Sequence, residues 1–112
     1  MEVEFKERDG CVIFYLDGPV ELYQVETIYN SIVESIKKNG FNNVILNFEK
    51  VSFLDSSGIG FLIKLKDFLK DKKLRFCNMK ENLIKVFEFA HLLKFFKIDS
   101  SEEKSILNIK SS

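Results

Sequence analysis

The sequence predicts one α/β domain on a mixed, mostly parallel sheet, with elements in the order β-β-α-β-α-β-α-β-α. Three observations carry that prediction. Asp9-Gly10 stands between two β-prone runs and favours a tight hairpin turn. Beyond it, short apolar runs alternate with segments whose apolar residues recur at helical spacing. Alternation after an opening hairpin implies crossover connections and parallel pairing for most strands. At 112 residues the chain can bury a core without disulfides or metals, and the domain is expected to span 1–112.

The hairpin joins Val3 to Arg8 with Cys11 to Leu16. Glu21 to Lys38 carries apolar residues at Leu22, Val25, Ile28, Tyr29, Ile32, Val33 and Ile36, an amphipathic helix with one buried stripe. Pro19 marks its entrance and Asn39-Gly40 its exit. Val44 to Phe48 is the next strand, and a second helix follows Ser56-Ser57 and ends near Asp71. Leu74 to Cys77 reads as a strand and Glu81 to Ala90 as a third helix. Phe95 to Ile98 reads as a short last strand. Ser100 followed by Glu103 resembles a capping box for a final helix through about Ile109.

Composition narrows the function. Seventeen basic and 17 acidic residues give zero formal net charge, without the basic surplus of a nucleic-acid binder. No stretch approaches the roughly 18 apolar residues of a membrane span, and Met1 to Glu7 has no signal-peptide core. Cys11 and Cys77 each sit in a β-prone apolar run without a nearby His or Cys, and are expected as buried free thiols. These features point to a reduced, cytoplasmic protein with no cofactor or metal and no nucleic-acid or membrane partner.

The richest stretch is Asp55-Ser56-Ser57-Gly58-Ile59-Gly60, two hydroxyls between a strand and a helix. Unpaired N–H groups and the positive dipole end at a helix start favour a negative charge, such as a phosphate bound there or attached to serine. Asp and Ser are also preferred N-caps, so capping and phosphate handling both stay open on these six residues. At about 100° per residue, Gly58, Phe61, Leu62, Leu65, Phe68 and Leu69 share the side expected to face the sheet. Ile59, Ile63, Lys66 and Lys70 fall roughly opposite. An apolar pair one turn apart, beside a potential charge site, suits a switchable protein contact. Gly58 and Gly60 cost helix stability relative to Ala, and close backbone approach is their expected return.

The run from Val44 through Asp55-Ser56-Ser57-Gly58-Ile59-Gly60, the element order, and Leu92 to Ile98 together resemble the anti-sigma factor antagonists, the stand-alone STAS domains. The resemblance covers nearly the whole chain and implies a single STAS-like domain. It implies that Ser56 is phosphorylated by a partner serine kinase that is itself the anti-sigma factor, and restored by a phosphatase. The unphosphorylated form would bind that kinase and free a sigma factor. Asp55, Ser57, Gly58 and Glu21 would neighbour the phosphate, and Ile59, Gly60, Ile63 and Lys66 would meet the partner. Two stretches depart from the family pattern. Gly18-Pro19-Val20-Glu21 stands where members carry Gly-x-Leu/Ile-Asp, so Glu21 replaces the Asp, and Asp71-Lys72-Lys73 replaces a Gly-rich turn.

An enzyme is not expected. His91 is the single histidine, no Gly-x-Ser-x-Gly elbow surrounds Ser56, and no Walker-type loop is present. The competing reading is an unphosphorylated STAS subunit of a transport ATPase or other regulatory complex, docking constitutively through the same helix. A monomer or weak dimer is expected, since edge strands can pair between copies.

Overall fold

The computed structural model describes residues 3–111; Met1, Glu2 and Ser112 of the expected domain lie outside the described residues. Nine elements follow the expected order: β1 (Glu4–Arg8), β2 (Cys11–Val20), α1 (Val25–Asn39), β3 (Asn43–Leu54), α2 (Ser56–Phe68), β4 (Lys73–Cys77), α3 (Glu81–Phe89), β5 (Ile98–Asp99) and α4 (Glu102–Lys110). The strands lie side by side in chain order. β1 pairs antiparallel with β2, and every later neighbour pairs in parallel. Asp9 and Gly10 both take positive φ, as the tight hairpin requires.

Alternation along the strands divides the interior in two. Val12, Phe14 and Leu16 of β2, Val44, Leu46 and Phe48 of β3 and Phe76 of β4 face the layer of α1, α2 and α3. Cys11, Ile13, Ile45 and Cys77 face the other way, under Ile106 and Ile109 of α4. Both cysteines are buried and free. Burial pushes the Cys77 thiol up to about 12, so it packs as a neutral, inert group.

Six expectations need correction. The first helix starts at Val25, not Glu21. Pro19 belongs to β2, beside a register shift and beyond the stretch that β1 pairs, where a missing N–H costs no ladder bond on that side. Residues 21–24 form a turn, which leaves Leu22 61% exposed rather than on the buried stripe. Phe95 and Phe96 lie in the turn before β5 rather than in a strand. Their apolar character serves an aromatic cluster instead, with Phe96 stacked 5.1 Å from Phe76 and edge-on to Phe87 at 5.6 Å.

The second helix ends at Phe68, short of Asp71, because tighter bonds from Lys70 N to Asp67 O and Lys72 N to Leu69 O take over. The last helix is capped by Ser101, whose hydroxyl accepts from Lys104 N, not by a Ser100–Glu103 box. Ser100 was one residue too early because the chain is still leaving β5 there.

Candidate functional site

Asp55, not either serine, caps α2. Its backbone is extended, its Oδ1 accepts from Gly58 N at 2.9 Å, and its carbonyl accepts from Ile59 N. Capping at this junction therefore falls to the aspartate, and Ser57 is not the cap. Ser56 and Ser57 occupy the first two helical positions, where their N–H groups have no acceptor within the helix. The Ser56 side chain is exposed and Ser57 is half-buried. A phosphate on Ser56 would sit at the positive end of α2 without displacing the cap.

The second carboxylate oxygen of Asp55 accepts a long hydrogen bond, 3.4 Å, from Leu22 N. This ties the turn after β2 to the start of α2. Glu21 stands in that turn, and its carbonyl accepts from Gln24 N and Val25 N. Glu21 is next to the residue that Asp55 holds, yet its side chain does not line the groove beside Ser56.

The two glycines of α2 differ. A Cβ on Gly58 would lie 2.5 Å from the Val20 carbonyl oxygen and closer still to the Leu54 side chain. Gly58 thus lets the helix start approach the ends of β2 and β3. A Cβ on Gly60 would meet nothing within 4 Å, so this domain's own packing gives no reason for that glycine.

Gly58, Phe61, Leu62, Leu65 and Leu69 are buried as the helical spacing predicts, while Phe68 is half-buried. The opposite stripe is not uniformly free. Ile63 is 40% exposed, but Ile59 is half-buried and packs on the main core. Lys66 places its ammonium 5.0 Å from the Phe95 ring centroid. The reason is lateral: α2 lies between α1 and α3 in one layer, so a helix flank can be covered by a neighbouring helix as well as by the sheet.

That neighbour supplies what the sequence did not reveal. Between the start of α2 and α3 runs a groove of about 510 Å³, lined by Leu54, Asp55, Ser56 and Ile59 on one side. Asn82, Lys85, Val86 and Phe89 of α3 line the other side, with Ala90 just past its end. Phe89 is 89% exposed, and Phe53, Leu22 and Tyr23 are further large exposed side chains on segments near this end of the sheet. Phe89 could have been singled out by its place on the α3 wheel, off the buried Leu83–Phe87 stripe. Its pairing with Ser56 could not, because the two lie on helices separated by a strand.

His91 has a structural role. With φ of 58° it ends α3 in the left-handed conformation, its N–H bonds Glu88 O, and Leu92 N reaches back to Phe87 O. Among the described residues no helix is long and apolar enough to cross a membrane.

Comparison with known proteins agrees with this architecture. The STAS domain family matches residues 2–105. The anti-sigma F factor antagonist of Paenibacillus polymyxa is 18% identical over 112 residues, covering 98% of this chain and 96% of that protein. The anti-sigma factor antagonist SpoIIAA in its unphosphorylated form superposes with a TM-score of 0.71 at 25% identity, covering 98% of this chain and 99% of that one. The phosphorylated form of SpoIIAA, a Bacillus cell fate determinant, gives 0.69 at 26% identity, covering 96% and 98%.

Proposed function

This chain belongs to the STAS domain family, and on that premise we propose that it is an anti-sigma factor antagonist switched by phosphorylation of Ser56. Unphosphorylated, it binds an anti-sigma factor that is also a serine kinase, and so frees a sigma factor. The kinase transfers a phosphoryl group from ATP to the Ser56 hydroxyl, and a phosphatase removes it. The chain is the regulated ligand in this cycle and catalyses no step, and the cycle runs in the cytoplasm.

One observation carries the reading: an exposed serine in the first turn of α2, uncommitted to capping, on the rim of an apolar groove. Phosphorylation adds about −1.5 to −2 charges. The N–H groups at the start of α2 let the isolated domain accept that charge. In a closed interface over Ile59, Val86 and Phe89 the same charge would lose its water, at a cost of several kcal/mol. The mark therefore opposes the complex and not the fold. The names of the relatives support the regulatory class, and the solved phosphorylated form of SpoIIAA supports a fold that accommodates phosphate.

The test is incubation with the anti-sigma factor kinase and ATP, followed by peptide mass spectrometry. One phosphate located to Ser56, with dissociation of the complex, is the expected result. A stable complex that never acquires phosphate would instead assign the chain as a constitutive docking subunit.

A further inference from the structure

The groove between α2 and α3 is asymmetric in charge. Among the described residues that line it, Asp55 is the one acid and Lys85 the one base. They stand on opposite sides, with Ser56 next to the acid. Asn82, Lys85, Val86 and Phe89 recur three or four residues apart on α3, so they form one stripe along the groove. The stripe is polar near the start of α3 and apolar towards its end.

The two charges differ in how firmly they are held. Asp55 accepts from Gly58 N with one carboxylate oxygen and from Leu22 N with the other. Lys85 pairs with Glu81 one turn earlier, at 3.9 Å, and both side chains are mostly exposed, at 71% and 85%. An exposed pair of that length contributes little. Lys85 can therefore leave Glu81 for a stronger anion at small cost.

A phosphate on Ser56 would meet this arrangement with a direction. The adjacent Asp55 carboxylate repels it from its own side of the groove, and the Lys85 ammonium attracts it from the other. Leu54, Ile59, Val86 and Phe89 supply an apolar wall, and low-dielectric walls strengthen both forces. A phosphoserine carries three acceptor oxygens. One can bond the N–H groups at the start of α2 while others meet Lys85 and the Asn82 amide.

On the premise that Ser56 is phosphorylated, as proposed above, we propose that Lys85 is the positioning residue for the phosphate. Its ammonium pairs with the phosphate across the groove, so the mark occupies the surface that the partner would cover. The switch then fills the groove from within, in addition to placing a charge where an interface would desolvate it. Without phosphate, Lys85 stays with Glu81 and the groove is open.

The experiment incorporates phosphoserine at position 56 during translation and follows its phosphorus NMR signal through a pH titration. The second ionisation of such a phosphate ordinarily lies at about 6. A nearby cation favours the dianion and lowers it, so Lys85→Gln should raise it by roughly 0.3–0.5 unit, the worth of an exposed ion pair. Lys85→Arg should restore the parent value. Lys104→Gln, on α4 across the sheet, removes the same charge elsewhere and should leave it unchanged. Backbone amides of Asn82, Lys85 and Val86 should differ between the phosphorylated and unphosphorylated parent, and this difference should collapse in Lys85→Gln. An ionisation indifferent to Lys85→Gln, an equal rise in Lys104→Gln, or amide shifts confined to α2 would overturn the proposal. Because the phosphoserine is built in, the two readings fail separately. A kinase that never labels Ser56 removes the switch, whereas these outcomes remove Lys85 from it.

Discussion

Asp55 reaches Leu22 across 33 residues of sequence through a 3.4 Å hydrogen bond, while its other carboxylate oxygen caps α2 at Gly58 N. One side chain thus joins the start of the candidate switch helix to the turn that carries the exposed Leu22 and Tyr23. A phosphate on the adjacent Ser56 would repel this carboxylate, and the longer of its two bonds is the weaker one.

Asp55→Ala should therefore lower stability by about 1 kcal/mol through loss of the cap. Asp55→Asn retains an acceptor for Gly58 N and should lose only a few tenths of a kcal/mol by the cap preferences. Urea unfolding measures both. Equal losses in the two variants would mean that the charge, not the cap, is what matters at this position.

Gly58→Ala and Gly60→Ala should move stability in opposite directions. Both changes raise helix propensity, by up to about 1 kcal/mol. At Gly58 the new methyl collides with Val20 O and the Leu54 side chain, and overpacking of that kind costs about 1–3 kcal/mol. At Gly60 there is open space, so the propensity gain should appear in full as a higher melting temperature. A partner complex weakened by Gly60→Ala, despite the more stable domain, would place that backbone in the interface.

Ser56→Ala should keep the fold within about 0.5 kcal/mol, because the serine is exposed and caps nothing. It should bind the kinase and ignore ATP. Ser56→Asp, Ile63→Glu and Phe89→Glu should each weaken the complex while leaving thermal unfolding nearly unchanged. Phe89→Glu tests the contribution of α3: calorimetric binding equal to the parent would confine the contact to α2.

Asp99 sets an acid limit on stability. Burial pushes its carboxyl up, but hydrogen bonds from Arg75, Ser105 and Asn108 together outweigh burial and hold it below the usual value. A carboxyl lowered by folding adds stability above its unfolded value, about 3.9, and loses it as pH falls through the folded value. Arg75→Met should cost about 3 kcal/mol at neutral pH by stranding a buried carboxylate. The variant should also lose less of its remaining stability than the parent on acidification below about pH 4. Parallel acid limbs in parent and variant would contradict the assignment.

What the sequence by itself determined was local. Asp9-Gly10 and Gly40 mark real left-handed turns, the isoleucines of α1 mark its buried stripe, and the serine junction marks the start of α2. Each depends on residues a few positions apart, within reach of turn chemistry and helical period. Errors arose where a local preference yielded to a distant neighbour. Pro19 reads as a helix entrance but is held in β2 by pairing with Phe53 of β3. Phe95-Phe96 reads as a strand, yet Phe96 is taken by Phe76 and Phe87. The tertiary structure alone decided that Asp55 joins the turn after β2 to the start of α2, and that Phe89 shares a groove with Ser56. The physical reason is the same in each case. Periodicity separates the inside of a helix from its outside, but only the parallel sheet sets helices and loops side by side and chooses which flanks meet.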